Sequence, residues 1–598
     1  MRFALIALCI ATGFVVPDVT IAQEGRITIP RRQAKPPGPP LSPKVALAKM
    51  QVPEGFHVEL VAAEPDIMNP VAMCFDERGR IWVTESFEYP RHEPGPGRDR
   101  IKILEDTDGD GRFETVKIFA EGLNIPSGIA VGHGGVWVAN APDILFMQDT
   151  DGDDRADKSE VVVTGFGRRD THELPNALTW GPDGALYGLN GVFNPCRVEQ
   201  NGKVFEFTCA MFRIDPKTRE FSLFCEGTSN PWGIAFDPEG SAFISACVID
   251  HLWHLTETGY YHRQGGPYPE HTWKIESIVD HKHQMAAYCG ITYFDSEAYP
   301  AEYRDLLMMG NIHGNCINVD RLHRRGSTYH ATGEPDFLSA DDVWFMPVAQ
   351  KVGPDGCFYV LDWYDRYHCY QDASADPEGV DRGHGRLYRV VHSATGRPEP
   401  VTLAGAAPEQ LVDYLGHSNV HVRQTAQRLL SESGCNGVTE QLQSLVTNPD
   451  QPTNVRYGAL WSLIGGDALT PEFATQLLAS DSATVQAWAI RAIGEQHPSS
   501  ESAVKAALGL LPEAKPDVLL QLAIAIGKFE KIDKLARWVD VLVAAKEDEL
   551  IPHIVWQNLY PHVDIENFEA FLTLVESVDL ASAPGLAEVV QRVPALLQ

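Results

Sequence analysis

PVAMCFDERGRIWV, residues 70–83, reads as strand, tight turn, strand. Apolar and β-branched runs flank a turn whose glycine, Gly79, can take the positive φ a hairpin needs without a Cβ clash. The same spacing, a proline followed nine residues later by a glycine, recurs in PSGIAVGHGGVWV (126–138), PNALTWGPDGALYG (175–188), PWGIAFDPEGSAFI (231–244) and PVAQKVGPDGCFYV (347–360). Successive prolines stand 56, 49, 56 and then 116 residues apart. The last gap spans two periods, and GITYFDSEAYPAEYRDLLMMGN (290–311) fills it as a copy with an insertion in its turn. Six units of roughly fifty residues, each a small sheet, predict a six-bladed β-propeller. Such a fold concentrates function at the mouth of its central channel.

The chain has 598 residues, which suits two domains rather than one core. Its composition, 44% hydrophobic and 22% charged, is globular. A formal charge of −32 argues against nucleic-acid binding, which needs cations facing phosphates, and against docking on anionic lipid. At the N-terminus, Arg2, the largely apolar run 4–16 and the small residues Thr20 and Ala22 form an export signal over residues 1–22. The expectation is therefore a periplasmic or extracellular protein, membrane-associated if the signal stays uncleaved. Residues 23–52 read as a flexible, Pro-rich lead-in. Export permits disulfides, and Cys196 with Cys209, or Cys225 with Cys247, are close enough in sequence to pair. No CxxCH occurs, so covalent haem is not expected in this chain.

The propeller is expected over 53–392, with GRLYRVV (385–391) as its closing strand, and a linker over 393–408. From 409 to 598 the period turns helical. Ala426, Ala459, Ala489 and Ala523 recur at steps of 33, 30 and 34 residues, each four positions after an apolar residue. Small residues at that spacing let helix pairs stack, the pattern of a HEAT-like all-α solenoid that braces a neighbour or binds a protein partner.

Polar residues stand just before or just after the repeats in several blades. Asn176, Asn230, Trp232, His251, Asp362, Tyr364 and Arg386 are the set expected to bind a cofactor, in a polar ligand pocket with an aromatic wall. His172, in RRDTHELPNALTWGPDG (168–184), is the candidate general base, since imidazole titrates near neutrality. Two acidic loops, DTDGDGRFE (106–114) and DTDGDDRAD (149–157), offer Asp106, Asp108, Asp110 and Glu114, and Asp149, Asp151, Asp153 and Asp157. Alternating carboxylates suit Ca²⁺, although the strand-like flanks exclude EF-hands.

Taken together, PVAMCFDERGRIWVTESFEYP, DTDGDGRFE, LTWGPDGALYGLNGVF, GITYFDSEAYPAEYR, VGPDGCFYVLDWYD and HGRLYRV resemble exported bacterial proteins described as membrane-bound dehydrogenases or L-sorbosone-dehydrogenase-like proteins. Their propeller resembles that of the PQQ-dependent sugar dehydrogenases. The resemblance spans about residues 50 to 395. It implies an enzyme that oxidises a sugar, alcohol or aldehyde, with PQQ and Ca²⁺ as cofactors, His172 as base and a separate electron acceptor such as a cytochrome c. The family's cofactor-holding Arg-Asn-Pro-aromatic-Gly reads Ser229-Asn230-Pro231-Trp232-Gly233 here, so its arginine is missing. Arg91, His251 and Arg386 are the groups expected to compensate. Two other readings stay open: a non-catalytic glycan- or protein-binding propeller, and a Ca²⁺-dependent lactonase-type hydrolase.

Overall fold

The computed structural model describes residues 38–284, 287–367, 376–563 and 567–597. Six sheets follow one another and close into a six-bladed propeller. Blade one comprises Pro70–Phe75, Ile81–Glu85, Asp99–Glu105 and Thr115–Leu123, each antiparallel to the next. The first strands of the six blades begin at Pro70, Gly128, Asn176, Asn230, Tyr288 and Pro347, and each contacts the next around a closed ring. Blade five is the interrupted copy: Tyr288–Phe294 and Leu306–Asn311 pair across a 3-10 turn at Ala301–Tyr303. Gly79, Gly184, Gly240 and Gly356 carry the repeat's turns at φ +83°, +79°, +84° and +76°. In blade two the turn falls one residue earlier, on His133 and Gly134.

Ring closure differs from the sequence expectation. Arg386–His392 is not the last strand of blade six: Phe56–Ala63, from the front of the chain, pairs antiparallel with it. The lead-in also differs, because residues 38–52 pack onto blades five and six. Trp344 Nε1 donates to the Gly38 carbonyl at 2.9 Å, Leu41 N donates to the Tyr364 hydroxyl at 3.0 Å, and Met50–Gln51 pairs with the edge of blade five. The export signal lies outside the described residues.

After the linker the chain is all-α. Ala426, Ala459, Ala489 and Ala523 are fully buried on Val420–Glu432, Thr453–Gly465, Ala483–Gln496 and Pro516–Lys528, which pack against one another in that order. These helices lie on the end of the propeller that carries the repeat turns. Val420–Glu432, capped by Asn419, crosses the channel axis and reaches the turns of five blades. Arg428 pairs with Glu77 (3.0 Å), Glu432 accepts from His133 N (2.9 Å), Gln427 donates to Pro182 O (3.2 Å), Val420 N donates to Asp295 O (3.0 Å) and Asn419 donates to Gly353 O (3.0 Å). Blade four is reached by a later helix, through Trp488 Nε1 to Glu239 O at 2.9 Å. The fit leaves no room for side chains at Gly184 and Gly465: a Cβ on Gly184 would stand 2.8 Å from Gly465 Cα. A cavity of about 240 Å³ remains between the ends of the six inner strands and the helix residues His421, Gln424 and Arg428.

No helix among the described residues is long and apolar enough to cross a membrane. The nine described cysteines are all free, so neither expected pairing forms. The register explains this: Cys196 stands opposite Phe207, Cys225 opposite Met211 and Cys247 opposite Asn230.

Candidate functional site

The open end of the channel is where inner strands begin and second strands end. A fastening device repeats there. The last residue of a blade's second strand accepts from the loop that leads into the first: Glu85 Oε1 from Met68 N (2.7 Å), Asn140 Oδ1 from Asn124 N (2.8 Å), Asp362 Oδ1 from Met346 N (2.8 Å). Asp362, expected to bind a cofactor, is therefore a buried loop anchor, which also accepts from Tyr364 N at 2.9 Å. Burial pushes its carboxyl up to about 8.

Blades are also stitched to one another. Asn176 is fully buried and donates to Leu174 O (2.9 Å) and to Pro231 O of the next blade (3.1 Å). Asn69 donates to Asp365 at 3.0 Å, joining blades one and six. The amide oxygens of Asn69, Asn176 and Asn230 are buried with no partner among the described residues. Asn69 and Asn230 precede their blades' repeat prolines and Asn176 follows its own, so three blades leave acceptors near the mouth, where water or a ligand hydroxyl can satisfy them. Trp232 lines the channel below.

His172 is held in the loop leading into blade three. Its backbone N–H bonds Asp170 Oδ1 at 2.9 Å, which fixes the turn, and its ring Nδ1 stands 3.2 Å from the same oxygen. Its Nε2 lies 2.7 Å from the hydroxyl of Tyr89, which follows the second strand of blade one. Burial would raise the Asp170 carboxyl, but the two bonds from His172 and the charges of His172 and His92 together outweigh that and hold it low. Tyr89 in turn packs edge-on to Trp363 of blade six at 5.1 Å, and Arg382 donates to the Tyr89 carbonyl at 3.0 Å while pairing with Asp365. The partly exposed imidazole therefore has a carboxylate behind it and an aromatic wall beside it. Glu173, the next residue, points inward, and burial pushes its carboxyl up to about 8 despite a bond from Phe193 N.

Other expected residues lie elsewhere. Tyr364 and Arg386 are fully buried under the lead-in: the Tyr364 hydroxyl bonds Asp342 at 2.8 Å, and Arg386 stacks on Tyr364 and pairs with Glu64 at 3.1 Å. His251 sits between blades four and five beside His281, His283 and Asp320. Of the groups expected to meet the carboxylates of PQQ, Arg91 is paired with Glu88 at 3.1 Å, Arg386 with Glu64, and His251 with Asp320 at 3.1 Å. That set does not fit a tri-anionic cofactor. The acidic loops join the third and fourth strands of blades one and two. Each gathers three carboxylates within 4.8 Å, Asp106, Asp108 and Glu114 in one, Asp149, Asp151 and Asp157 in the other. Asp110 and Asp153 instead accept from Arg112 N (2.7 Å) and Arg155 N (2.8 Å).

Asp170 and the His281–Asp320 pair were not singled out from sequence. Asp170 stands two residues before His172, and His281-Lys282-His283 has the alternation that puts both imidazoles on one side of an extended chain. Asp320 carries no such signal inside the strand Cys316–Arg325.

Among solved structures, the chain is similar to an oxidoreductase (glucose dehydrogenase) from Thermus thermophilus, with 19% identity and a TM-score of 0.39, over 56% of this chain and 100% of that one. It is also similar to the PQQ-bound aldose sugar dehydrogenase of Streptomyces coelicolor (14%, TM-score 0.37, 57% and 100%) and to the PQQ domain of Coprinopsis cinerea pyranose dehydrogenase (12%, TM-score 0.38, 57% and 97%). No curated protein matches it. A family model does match over residues 42–394, and the chain belongs to that family, the domain of unknown function DUF7133.

Proposed function

We propose that the chain is an exported oxidoreductase that removes the proton from a hydroxyl of a small polyhydroxylated molecule, a sugar or related alcohol, at the propeller mouth. The supporting observation is the Asp170–His172–Tyr89 chain, with its contacts of 3.2 and 2.7 Å. A carboxylate on Nδ1 orients an imidazole so that Nε2 faces the substrate. Tyr89 holds Nε2 until a substrate hydroxyl takes its place. Nε2 then accepts the hydroxyl proton as the carbinol hydride leaves to a diffusible two-electron acceptor, and the carbonyl product forms. The unpartnered oxygens of Asn69, Asn176 and Asn230 supply acceptors for further hydroxyls. The electrons pass on to a separate carrier such as a cytochrome c, and the acidic loops take Ca²⁺.

A second reading is a glycan-binding propeller without turnover, with the helical array as a protein-docking arm. It is favoured by the ion pairs that already occupy Arg91 and Arg386. Dye reduction over a panel of sugars and alcohols, with and without added PQQ and Ca²⁺, separates the two. Saturable reduction that His172→Ala abolishes supports the enzyme. Sugar binding by calorimetry with no reduction under any condition replaces it with the binding module.

A further inference from the structure

Between blades four and five, four side chains from three stretches of chain converge. His251 follows the second strand of blade four, His281 and His283 lie on the extended segment leading into blade five, and Asp320 is on that blade's third strand. His251 Nε2 and His283 Nε2 are each 3.1 Å from Asp320 Oδ2, and His281 Nε2 is 2.7 Å from Oδ1. All four donor atoms lie within 4.8 Å of one another. His251 and Asp320 are buried, His283 nearly so, and His281 keeps 29% of its side chain exposed.

Hydrogen bonding alone does not account for the cluster. His281 Nε2 and Asp320 Oδ1 are buried and 2.7 Å apart, yet neither has a hydrogen-bond partner, because their geometry is not that of an N–H pointed at an oxygen. His281 and Asp320 belong instead to a set of four residues whose donor atoms lie within 4.8 Å of one another. Ligands about 2.0–2.1 Å from a tetrahedral ion lie roughly 3.3 Å from one another, close to the 3.1 Å that His251 and His283 each keep from Asp320 Oδ2. The surroundings are built to hold the set. Lys282 points out while its neighbours point in, and a Cβ on Gly333 would press within 2.9 Å of His281 Nε2, so that glycine leaves room for the ring. Gln284, next along, is fixed to blade five by bonds of 2.7 Å with Asn318 and Asp336.

We propose that His251, His281, His283 and Asp320 form a closed tetrahedral site for a divalent transition metal, zinc foremost, that pins blade four to blade five. Three imidazoles and one carboxylate suit zinc; Ca²⁺ takes six to eight oxygens and is not favoured. Four protein ligands leave no open position, so the ion's role is structural. This inference is independent of the chemistry assigned to His172.

The test uses the full-length chain without a histidine tag. Metal analysis after dialysis against Zn²⁺ should find one ion per chain. One equivalent of Co²⁺ should give the strong visible bands of a tetrahedral centre. His281→Ala, at the most exposed ligand, should lower Zn²⁺ affinity at least about tenfold, while Asp106→Asn with Asp149→Asn should leave the cobalt bands intact. Chelation should lower the melting temperature of the wild type and not of His281→Ala. A wild type that retains no stoichiometric metal, weak octahedral cobalt bands, or a His281→Ala variant with wild-type affinity overturns the proposal, the last by revealing an adventitious ion only. If His281→Ala does not fold, the wild-type cobalt spectrum decides alone.

Discussion

His172 Nε2 lies 2.7 Å from the Tyr89 hydroxyl, across 83 positions of sequence. The contact ties the loop leading into blade three to the loop between the second and third strands of blade one. It gives the imidazole one defined direction, and the chemistry proposed at the mouth depends on that direction. His172→Ala should lower kcat for dye reduction by about 10²–10⁴-fold, the usual range for a general base. Its melting temperature should barely change, because the ring is partly exposed. Tyr89→Phe keeps the base and should cost less. Steady-state kinetics on the three proteins, with thermal unfolding alongside, checks both statements.

Glu173 makes stability fall with rising pH. Its folded carboxyl is pushed up to about 8 by burial, against an ordinary 4.5. Between those values the folded state holds a proton that the unfolded state has released, so its contribution is fully present below 4.5 and lost as pH rises through 8. The slope is about 1.4 kcal/mol per pH unit. Glu173→Gln should flatten the pH dependence and unfold at a higher temperature than wild type at pH 8.5 but not at pH 4.5. Calorimetry at both values reads the difference.

Arg491 joins the helices to blade three. It donates to Asp183 Oδ2 and to the Tyr187 hydroxyl, both at 2.8 Å, and Asp183 is buried. Arg491→Ala strips a buried carboxylate of one of its partners and should cost about 3–5 kcal/mol, with Arg213, 3.2 Å from Asp183, holding the loss to the lower end. Urea unfolding of wild type and variant measures it.

With all nine described cysteines free, a reductant should leave the melting temperature unchanged. Parallel thermal scans with and without dithiothreitol suffice, and a drop of several degrees would reveal a structural disulfide.

Ca²⁺ at a hundredfold excess over its dissociation constant should add about 2.7 kcal/mol to stability for each loop it fills. Asp106→Asn with Asp149→Asn should abolish that gain in thermal scans over a Ca²⁺ series.

The blade count was legible because the proline-to-glycine unit is local: a few residues encode strand, turn and strand. The strand that completes blade six was not, since Glu59 meets Arg389 across 330 positions and no period links them. Equivalence between blades is also a poor guide to chemistry. Asp362 matches Glu85 and Asn140 in position because all three tie down a loop, so the repetition reports the symmetry of the fold. Tyr364 and Arg386 mislead for a related reason: the lead-in that covers them has no feature in its sequence that marks it as packed. The residues with the least repetitive setting, His172 and the HKH segment, carry the chemistry proposed here.

The helix Val420–Glu432 turns the channel into a well with a floor. Whatever is bound at the mouth cannot pass through and must leave by the opening it used. Substrate, product and electron acceptor would therefore queue at one door. Because hydride passes directly from one to the other, substrate and acceptor must share the well in a ternary complex, which gives sequential kinetics, where a tunnel open at both ends would let the two enter from opposite sides.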